Sequence, residues 1–519
     1  MAPSHYKYER LSAQDNDFLL WEKPNVPMHG GSTQIFSAGP LALEGGGIDF
    51  AKIRRGIEGI LHRIPRYRQR LAWVPGEQHA VWVDDRHFNL DYHLRHISVP
   101  RPGTDEQLKA LVGRLFERPL DRARPLWEIW VVEGLEGGRF ATVGLTHHCM
   151  VDGAAGMDLA KSLFSTTPGY SIREPHRYVP RPEPSDAELR RDSWLRLLGL
   201  PFDLAGRLRA FVRETDDLAG EVASRVRALG EMALWKAIPA SDTPLNGPLG
   251  PHRRVDWLEL RLDEIKAVRR ALGCSVNDVV LAIVTGAVRE FLMGRQVRPE
   301  DLEFRVAIPV NVRSQAEEGR MGNRVSTWIV RLPLAEEDPA RQVAALHRTT
   351  QELKESHQAD AIELVEAVHE WIPLDIQGLA EGTQNLYVTN VPGPQFPLYL
   401  LGAELESIYL HAPLLQNQGL AVGALSYNGR VCWGLTADED RLPDLDVFAA
   451  AVRRSFERLA EGAGVRVEGA RPVEVRAGAA RKTTRKRRSP APAPAGGSAA
   501  SAASGQPVRA QASADDRER

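Results

Sequence analysis

The stretch Phe140–Gly156, FATVGLTHHCMVDGAAG, constrains the fold more than any other part of the chain. Its composition predicts a strand from Phe140 to His148 and a helix from about Ala154 to Phe164. Successive side chains of a strand point to opposite faces. Ala141, Val143, Leu145 and His147 therefore share an apolar, core-like face. Thr142, Gly144, Thr146 and His148 share a small, polar face that leaves room for a ligand. Only one of the two adjacent histidines looks into that space, and the alternation selects His148. A neutral imidazole, with an ordinary pKa near 6.5, accepts a proton from a hydroxyl at physiological pH. Asp152 follows in the turn, where it also has the chemistry of a helix N-cap, and Gly153 permits the tight bend into the helix.

The remaining pattern builds an α/β chain, with strands and helices mixed, around this junction. Residues 1–170 alternate strand-like and helix-like segments, among them an amphipathic helix over Asp49–Ile64 and strands at Ala80–Val83 and Trp127–Val132. Residues 171–250 form a connector: a Pro-rich run, amphipathic helices from Ala187 to about Lys236, and a Pro/Gly cluster. Residues 251–470 resume α/β patterning and close with a helix over Leu445–Leu459. Beyond Arg471 order is expected to fail, because 22 of the 26 residues Ser489–Ala514 are Ala, Pro, Gly or Ser. So little apolar surface does not offset chain entropy.

The charge divides in the same place. Residues 471–519 carry 11 Lys/Arg and 4 Asp/Glu, a net +7, which leaves residues 1–470 at a net −9. The overall −2 thus hides an acidic body and a basic tail, which includes the run Arg481–Arg488. With no folded nucleic-acid module beside that run, no nucleic-acid partner is expected. Cys149, Cys274 and Cys432 lie far apart, a spacing that fits neither a disulfide framework nor a thiolate zinc site and favours a reducing, cytoplasmic setting. The N-terminus lacks the apolar core of a signal peptide, and no run of 18 uncharged apolar residues predicts a membrane span. The segment Trp194–Val212 interleaves Trp, Leu and Phe with Arg, a composition that suits a lipid interface as well as packing on the body.

Further along, Ser275-Val276-Asn277-Asp278 opens an apolar helix and has the form of a capping box. Capping accounts for Ser275 and Asp278. Asn277 retains an amide that can donate to a substrate carbonyl or to the histidine loop. Thr389-Asn390 is read as following a strand over Asn385–Val388 and preceding the turn Pro392-Gly393-Pro394, so its hydroxyl and amide can serve either an oxyanion or the turn itself. Trp127 reads as a core anchor and His29 as packing near the pocket. Cys149 raises an alternative, an acyl-enzyme, but it occupies the His147 side of the motif.

HHxxxDG resembles the signature of the chloramphenicol acetyltransferase-like superfamily. The chain is more closely similar to the bacterial wax ester synthase/diacylglycerol acyltransferase family. That family's boxes occur in order: LSAQDNDFLLWE from Leu11, PMHGG at Pro27–Gly31, PLW at Pro125–Trp127, ND at Asn277-Asp278, and TNVPGP at Thr389–Pro394, with Thr replacing the family's Ser. The resemblance implies two chloramphenicol acetyltransferase-like halves with an active-site tunnel between them, plus the disordered tail. It implies transfer of a fatty acyl group from acyl-CoA to diacylglycerol or a long-chain alcohol, with His148 as proton acceptor and His147, Asp152, Gly153 and Asn277 around it. Thr389 and Asn390 are oxyanion or support candidates. In related enzymes the motif aspartate pairs with an arginine; Arg313 is the candidate here and Arg305 the alternative. No metal or cofactor is implied, since acyl-CoA is a co-substrate. The acceptor lipids imply a location peripheral to the inner face of a membrane or to lipid inclusions. A condensation-type acyltransferase with another donor, and a non-catalytic lipid-binding protein of this fold, are the competing functions.

Overall fold

Two six-stranded sheets carry the fold, each covered by helices, in a computed structural model that describes residues 8–150, 162–214, 238–311, 325–355 and 382–467. The tail from 471 and most of the helix expected over 154–164 lie outside these residues. The first sheet runs Tyr399–Leu400, Ala403–His411, His29–Ser37, Arg139–His147, Trp127–Leu135, Leu94–Ser98. The second runs Val325–Arg331, Arg305–Asn311, Leu386–Pro392, Leu420–Tyr427, Arg430–Asp438, Arg253–Arg261. A small three-stranded sheet joins Glu9–Arg10, Ala80–Asp84 and Gln69–Trp73. The mixed α/β class expected from the sequence is the one observed.

The helix Val276–Gly294 shows how the second half closes. Ser275 accepts from the Asp278 amide at 3.1 Å and the Asp278 carboxylate accepts from the Ser275 amide at 2.8 Å, a complete capping box. Almost every side chain from Asp278 to Leu292 is buried, because the sheet lies on one side and the helices Pro339–Glu355 and Leu445–Gly462 on the others. A helix apolar on all faces is stable only when enclosed in this way. No single helix among the described residues is long and apolar enough to cross a membrane.

Two expectations change. The helix over Asp49–Ile64 is shorter, Phe50–Glu58, with Asp49 as its N-cap, and is followed by a 3-10 turn at Leu61–Arg63. It stops where the connector crosses it: a Cβ on Gly59 would stand 2.5 Å from the Arg173 carbonyl oxygen. The other change concerns Ala403–His411, which sequence order places among the elements of the 251–470 half. It pairs instead with His29–Ser37 in the first sheet. On its way it lies across the second sheet at Gly423 and Gly434, which face each other on adjacent strands. A Cβ on Gly434 would meet the Leu410 carbonyl oxygen at 2.0 Å, and one on Gly423 would meet it at 2.9 Å. Only glycines let the two backbones approach so closely.

Candidate active site

The strand Arg139–His147 carries out the alternation its sequence predicts. Ala141, Val143, Leu145 and His147 are buried and Gly144 and Thr146 are partly open, but Thr142, expected on the open face, is buried because its hydroxyl donates to Gln34 Oε1 at 2.5 Å. The strand ends at His147, and His148–Met150 turn into a 3-10 helix. Two backbone carbonyls fix the junction: Leu126 accepts the His147 amide at 3.0 Å, and Met28 accepts the His148 amide at 2.8 Å. The PLW and PMH segments thus act as a two-point clamp on the histidine pair. The His148 ring lies 4.8 Å from that of Phe18. Its Nε2 is 3.6 Å from where a Gly30 side chain would begin, so Gly30 keeps the space before the imidazole open.

His147 is fully buried and works through the loop. Its Nδ1 accepts from the Cys149 amide at 3.2 Å, which assigns the ring proton to Nε2. That nitrogen faces Glu22 Oε2 at 3.4 Å, an ion-pair separation. Glu22 accepts from the Met28 amide at 3.1 Å and from Arg122 Nε at 3.0 Å, and Arg122 donates in turn to the Leu19 carbonyl at 2.6 Å. Burial alone would raise the Glu22 pKa, but His147, the Met28 amide and Arg122 together bring it to about 2. Glu22 was not among the sequence candidates. Its signal was an acid placed just after the helix Ala13–Trp21, at the end where the helix dipole disfavours an anion unless a partner is present.

Burial, and then the proximity of His147, push His148 down to about 4. The imidazole is therefore the unprotonated base at neutral pH. His29 pairs with His147 across the strands, and both its ring nitrogens are buried without a hydrogen-bond partner. Burial first, and then His147, lower it to about 3. His411 sits against Thr33 Oγ1 at 2.9 Å and falls to about 3 through burial. Cys149 is buried, and desolvation followed by Asp15 and Glu22 holds its thiol well above the ordinary range. Such an environment disfavours the thiolate form.

The second half brings two sequence candidates together: Asn390 Nδ2 donates to Asn277 Oδ1 at 3.4 Å. Thr389 and Asn390 lie within the strand Leu386–Pro392, opposite Gly423 and Ala424, rather than in a turn after it. Parallel pairing with Leu420–Tyr427 carries the strand past Val388. Asp278 is fully buried and accepts from His347 Nδ1 and Thr350 Oγ1, both at 2.7 Å. Desolvation would raise its pKa, but the Ser275 amide, His347 and Thr350 lower it. No feature of the sequence signalled His347 or Thr350. Trp127 is the core anchor expected, donating from Nε1 to the Tyr67 carbonyl at 2.8 Å and stacking on His93. Asp152, Gly153 and Arg313 lie outside the described residues. Arg305, the alternative partner, is committed to Glu303 at 3.1 Å and the Ile238 carbonyl at 2.9 Å.

A chain of contacts joins the clusters. The strand bearing Asn390 lies beside Gly423, Gly423 lies under Leu410, and the His411 carbonyl lies over Gly30, which faces His148. A cleft of about 410 Å³ on the outer, helical face of the second half is separate from these residues, and its Arg454 and Arg458 are paired with Glu290. No group of three His, Cys, Asp or Glu side chains among the described residues is placed to hold a metal ion.

Comparison with known proteins agrees with this architecture. Residues 11–280 match the wax ester synthase/diacylglycerol acyltransferase catalytic domain, and residues 321–460 match the C-terminal domain of that family. A Mycobacterium tuberculosis protein named as a diacylglycerol O-acyltransferase is 31% identical over 496 residues, covering 90% of this chain and 93% of its own. Another from that organism is 30% identical over 451 residues, covering 85% and 94%. The wax ester synthase/diacylglycerol acyltransferase from Marinobacter aquaeolei VT8 superposes with a TM-score of 0.65 at 25% identity, over 88% of this chain and 100% of that one. The first condensation domain of the calcium-dependent antibiotic synthetase shares the fold, with a TM-score of 0.54 at 16% identity over 88% and 97% of the two chains.

Proposed function

Since the chain belongs to the wax ester synthase/diacylglycerol acyltransferase family, we propose that it moves a fatty acyl group from acyl-CoA to the hydroxyl of diacylglycerol or a long-chain alcohol, with His148 as general base. One observation carries this reading: a neutral imidazole is held by two backbone clamps in front of a glycine-lined space. The acceptor hydroxyl gives its proton to His148 as its oxygen bonds to the thioester carbonyl carbon. The carbonyl oxygen becomes an oxyanion, the C–S bond breaks, and the imidazolium returns the proton to the departing thiolate. No covalent acyl-enzyme forms. The Asn390 amide donates to Asn277 Oδ1, which leaves the Asn277 NH₂ to support the oxyanion or the histidine loop. His147 and Glu22 hold the loop in register. Asp152 and Gly153 complete the turn on this reading, with Arg313 as the partner of Asp152. The test is to incubate the purified chain with labelled palmitoyl-CoA plus diacylglycerol or hexadecanol. Triacylglycerol or wax ester is the expected product, and neither product beside an active control enzyme would overturn the proposal.

The same reading requires contact with a lipid surface, and the helix Asp186–Glu214 supports one. Leu189 packs on Val74, Val81 and Val83, and Asp192 accepts from Tyr8 at 2.6 Å, so a largely polar side faces the body. The opposite side exposes Trp194 (65%), Leu195 (59%), Leu197 (56%) and Leu198 (66%) beside Arg190 and Arg191. This inverts the usual amphipathic arrangement and suits the acyl–headgroup boundary of a bilayer or lipid inclusion. Flotation with phosphatidylcholine–diacylglycerol vesicles checks it: Trp194→Ser/Leu198→Ser should float less, and unchanged flotation would exclude this face.

A further inference from the structure

Several arginines of the first half have a carboxylate: Arg10 pairs with Glu77, Arg54 with Asp91, Arg70 with Glu183, Arg139 with Asp105, and Arg181 with Asp84. One surface instead gathers unpaired arginines around two neighbouring histidines. Where the 3-10 turn Leu61–Arg63 meets the connector, the rings of His62 and His176 lie 4.0 Å apart. Arg63, Arg68 and Arg173 surround them, and none of the three forms an ion pair with a described residue. The connector is pinned there by Gly59, which accepts the Arg173 backbone where a side chain could not fit, and by Tyr178, whose hydroxyl donates to the Arg68 carbonyl at 3.1 Å. The Arg68 guanidinium rests 4.4 Å from the Tyr178 ring.

Asp84 is the one carboxylate that acts on Arg68, and it is already paired with Arg181 at 2.7 Å, so the collected positive charge is only partly offset. Two of its polar atoms, the ring nitrogen His62 Nδ1 and the donor Arg68 Nε, are buried at the atom level and have no hydrogen-bond partner. The orphaned guanidinium N–H calls for an acceptor, and a protonated His62 ring offers a second N–H beside it. Burial first, and then His176, Arg63, Arg68 and Arg173, hold the His62 imidazole below its ordinary value. Every charged neighbour that weighs on it most is basic.

We propose that His62, Arg63, Arg68, Arg173 and His176 form a binding site for a phosphate group carried by a small molecule or a lipid headgroup. A phosphate offers several acceptor oxygens and up to two negative charges, which match the planar donors of arginine and the orphaned ring nitrogen. Its occupancy is measured without turnover.

The test titrates the full chain with adenosine 3′,5′-bisphosphate by calorimetry and, separately, floats it with phosphatidic acid or phosphatidylcholine vesicles. Arg63 and Arg173 are exposed, so Arg63→Gln/Arg173→Gln retains the fold, and Arg139→Gln controls for a paired arginine. Binding of the nucleotide, or flotation selective for phosphatidic acid, should weaken at least about tenfold in the double variant and remain in the control. The nucleotide arm responding identifies a soluble phosphate, and the vesicle arm a headgroup. Absence of binding in both arms, or equal binding by the double variant, would overturn the site.

Discussion

Both halves of the molecule bury a carboxylate–imidazole pair one residue from the proposed chemistry, and the two pairs differ in exposure. His147 and Glu22, 3.4 Å apart, are both shut away from solvent, and they precede or support His148. His347 and Asp278 are 2.7 Å apart, but His347 remains 34% exposed while Asp278 is fully buried beside Asn277. The first pair draws on a third group, the Arg122 guanidinium, and on two carbonyl clamps. The second leans on a capping box that the helix supplies by itself. A base that must aim at one proton needs a rigid, many-sided mount, whereas an amide on a helix end is already oriented by its backbone.

The largest effect should separate the halves most clearly. His148→Ala should lower kcat/KM by roughly 10²–10⁴-fold in the palmitoyl-CoA assay, with Cys149→Ala near wild type. A labelled acyl group trapped on Cys149 would reverse that assignment. Asn277→Ala comes next, with kcat down roughly tenfold to a hundredfold and KM little changed, as expected for a donor used in the transition state. Equal losses in kcat and in stability would instead make Asn277 a cap.

Glu22→Gln leaves Arg122 facing a neutral amide in a buried setting. With the Arg122 side chain about a third exposed, it should cost about 1–3 kcal/mol of unfolding free energy, measured by chemical denaturation, together with activity. His347→Gln, at a half-open site, should change kcat only about two- to fivefold and stability by about 1 kcal/mol. If His347→Gln matched Glu22→Gln in both readouts, the contrast in rigidity between the halves would disappear.

The pH response sharpens the same contrast. His29, His148 and His411 have folded pKa values pushed down to about 3–4. The unfolded chain binds their protons first, so stability is complete above about pH 6.5 and declines as pH falls towards 4. Glu22, depressed to about 2, adds a second loss below its ordinary carboxylate range. Chemical denaturation between pH 4 and 8 should show the first decline. The activity profile should stay flat from pH 8 to 6, because His148 is still neutral there. An activity limb centred near 6.5 would show an unshifted base.

Much of the site was legible because its signals are local. Strand alternation separated His147 from His148, and the Ser275–Asp278 spacing announced the capping box. The pairing of Asn277 with Asn390, 113 residues apart, was not legible as a contact. Reading the strand before Asn390 as ending at Val388 also failed, because proline and glycine nearby suggested a turn while a parallel neighbour extended the ladder. Glu22 was visible in its motif but carried no sign of which distant histidine it would face.

The sequence by itself determined the α/β class, the strand that ends at the histidine pair, and the buried His147 beside the more open His148, since side-chain period is a property of a few neighbouring residues. Tertiary structure decided which groups neutralise buried charge and how the halves meet. Glu22 and Arg122 reach His147 across separate elements, and Ala403–His411 leaves its sequence neighbours to complete the first sheet over the Gly423–Gly434 pair. Such contacts depend on excluded volume and desolvation between segments hundreds of residues apart, and no local pattern encodes them.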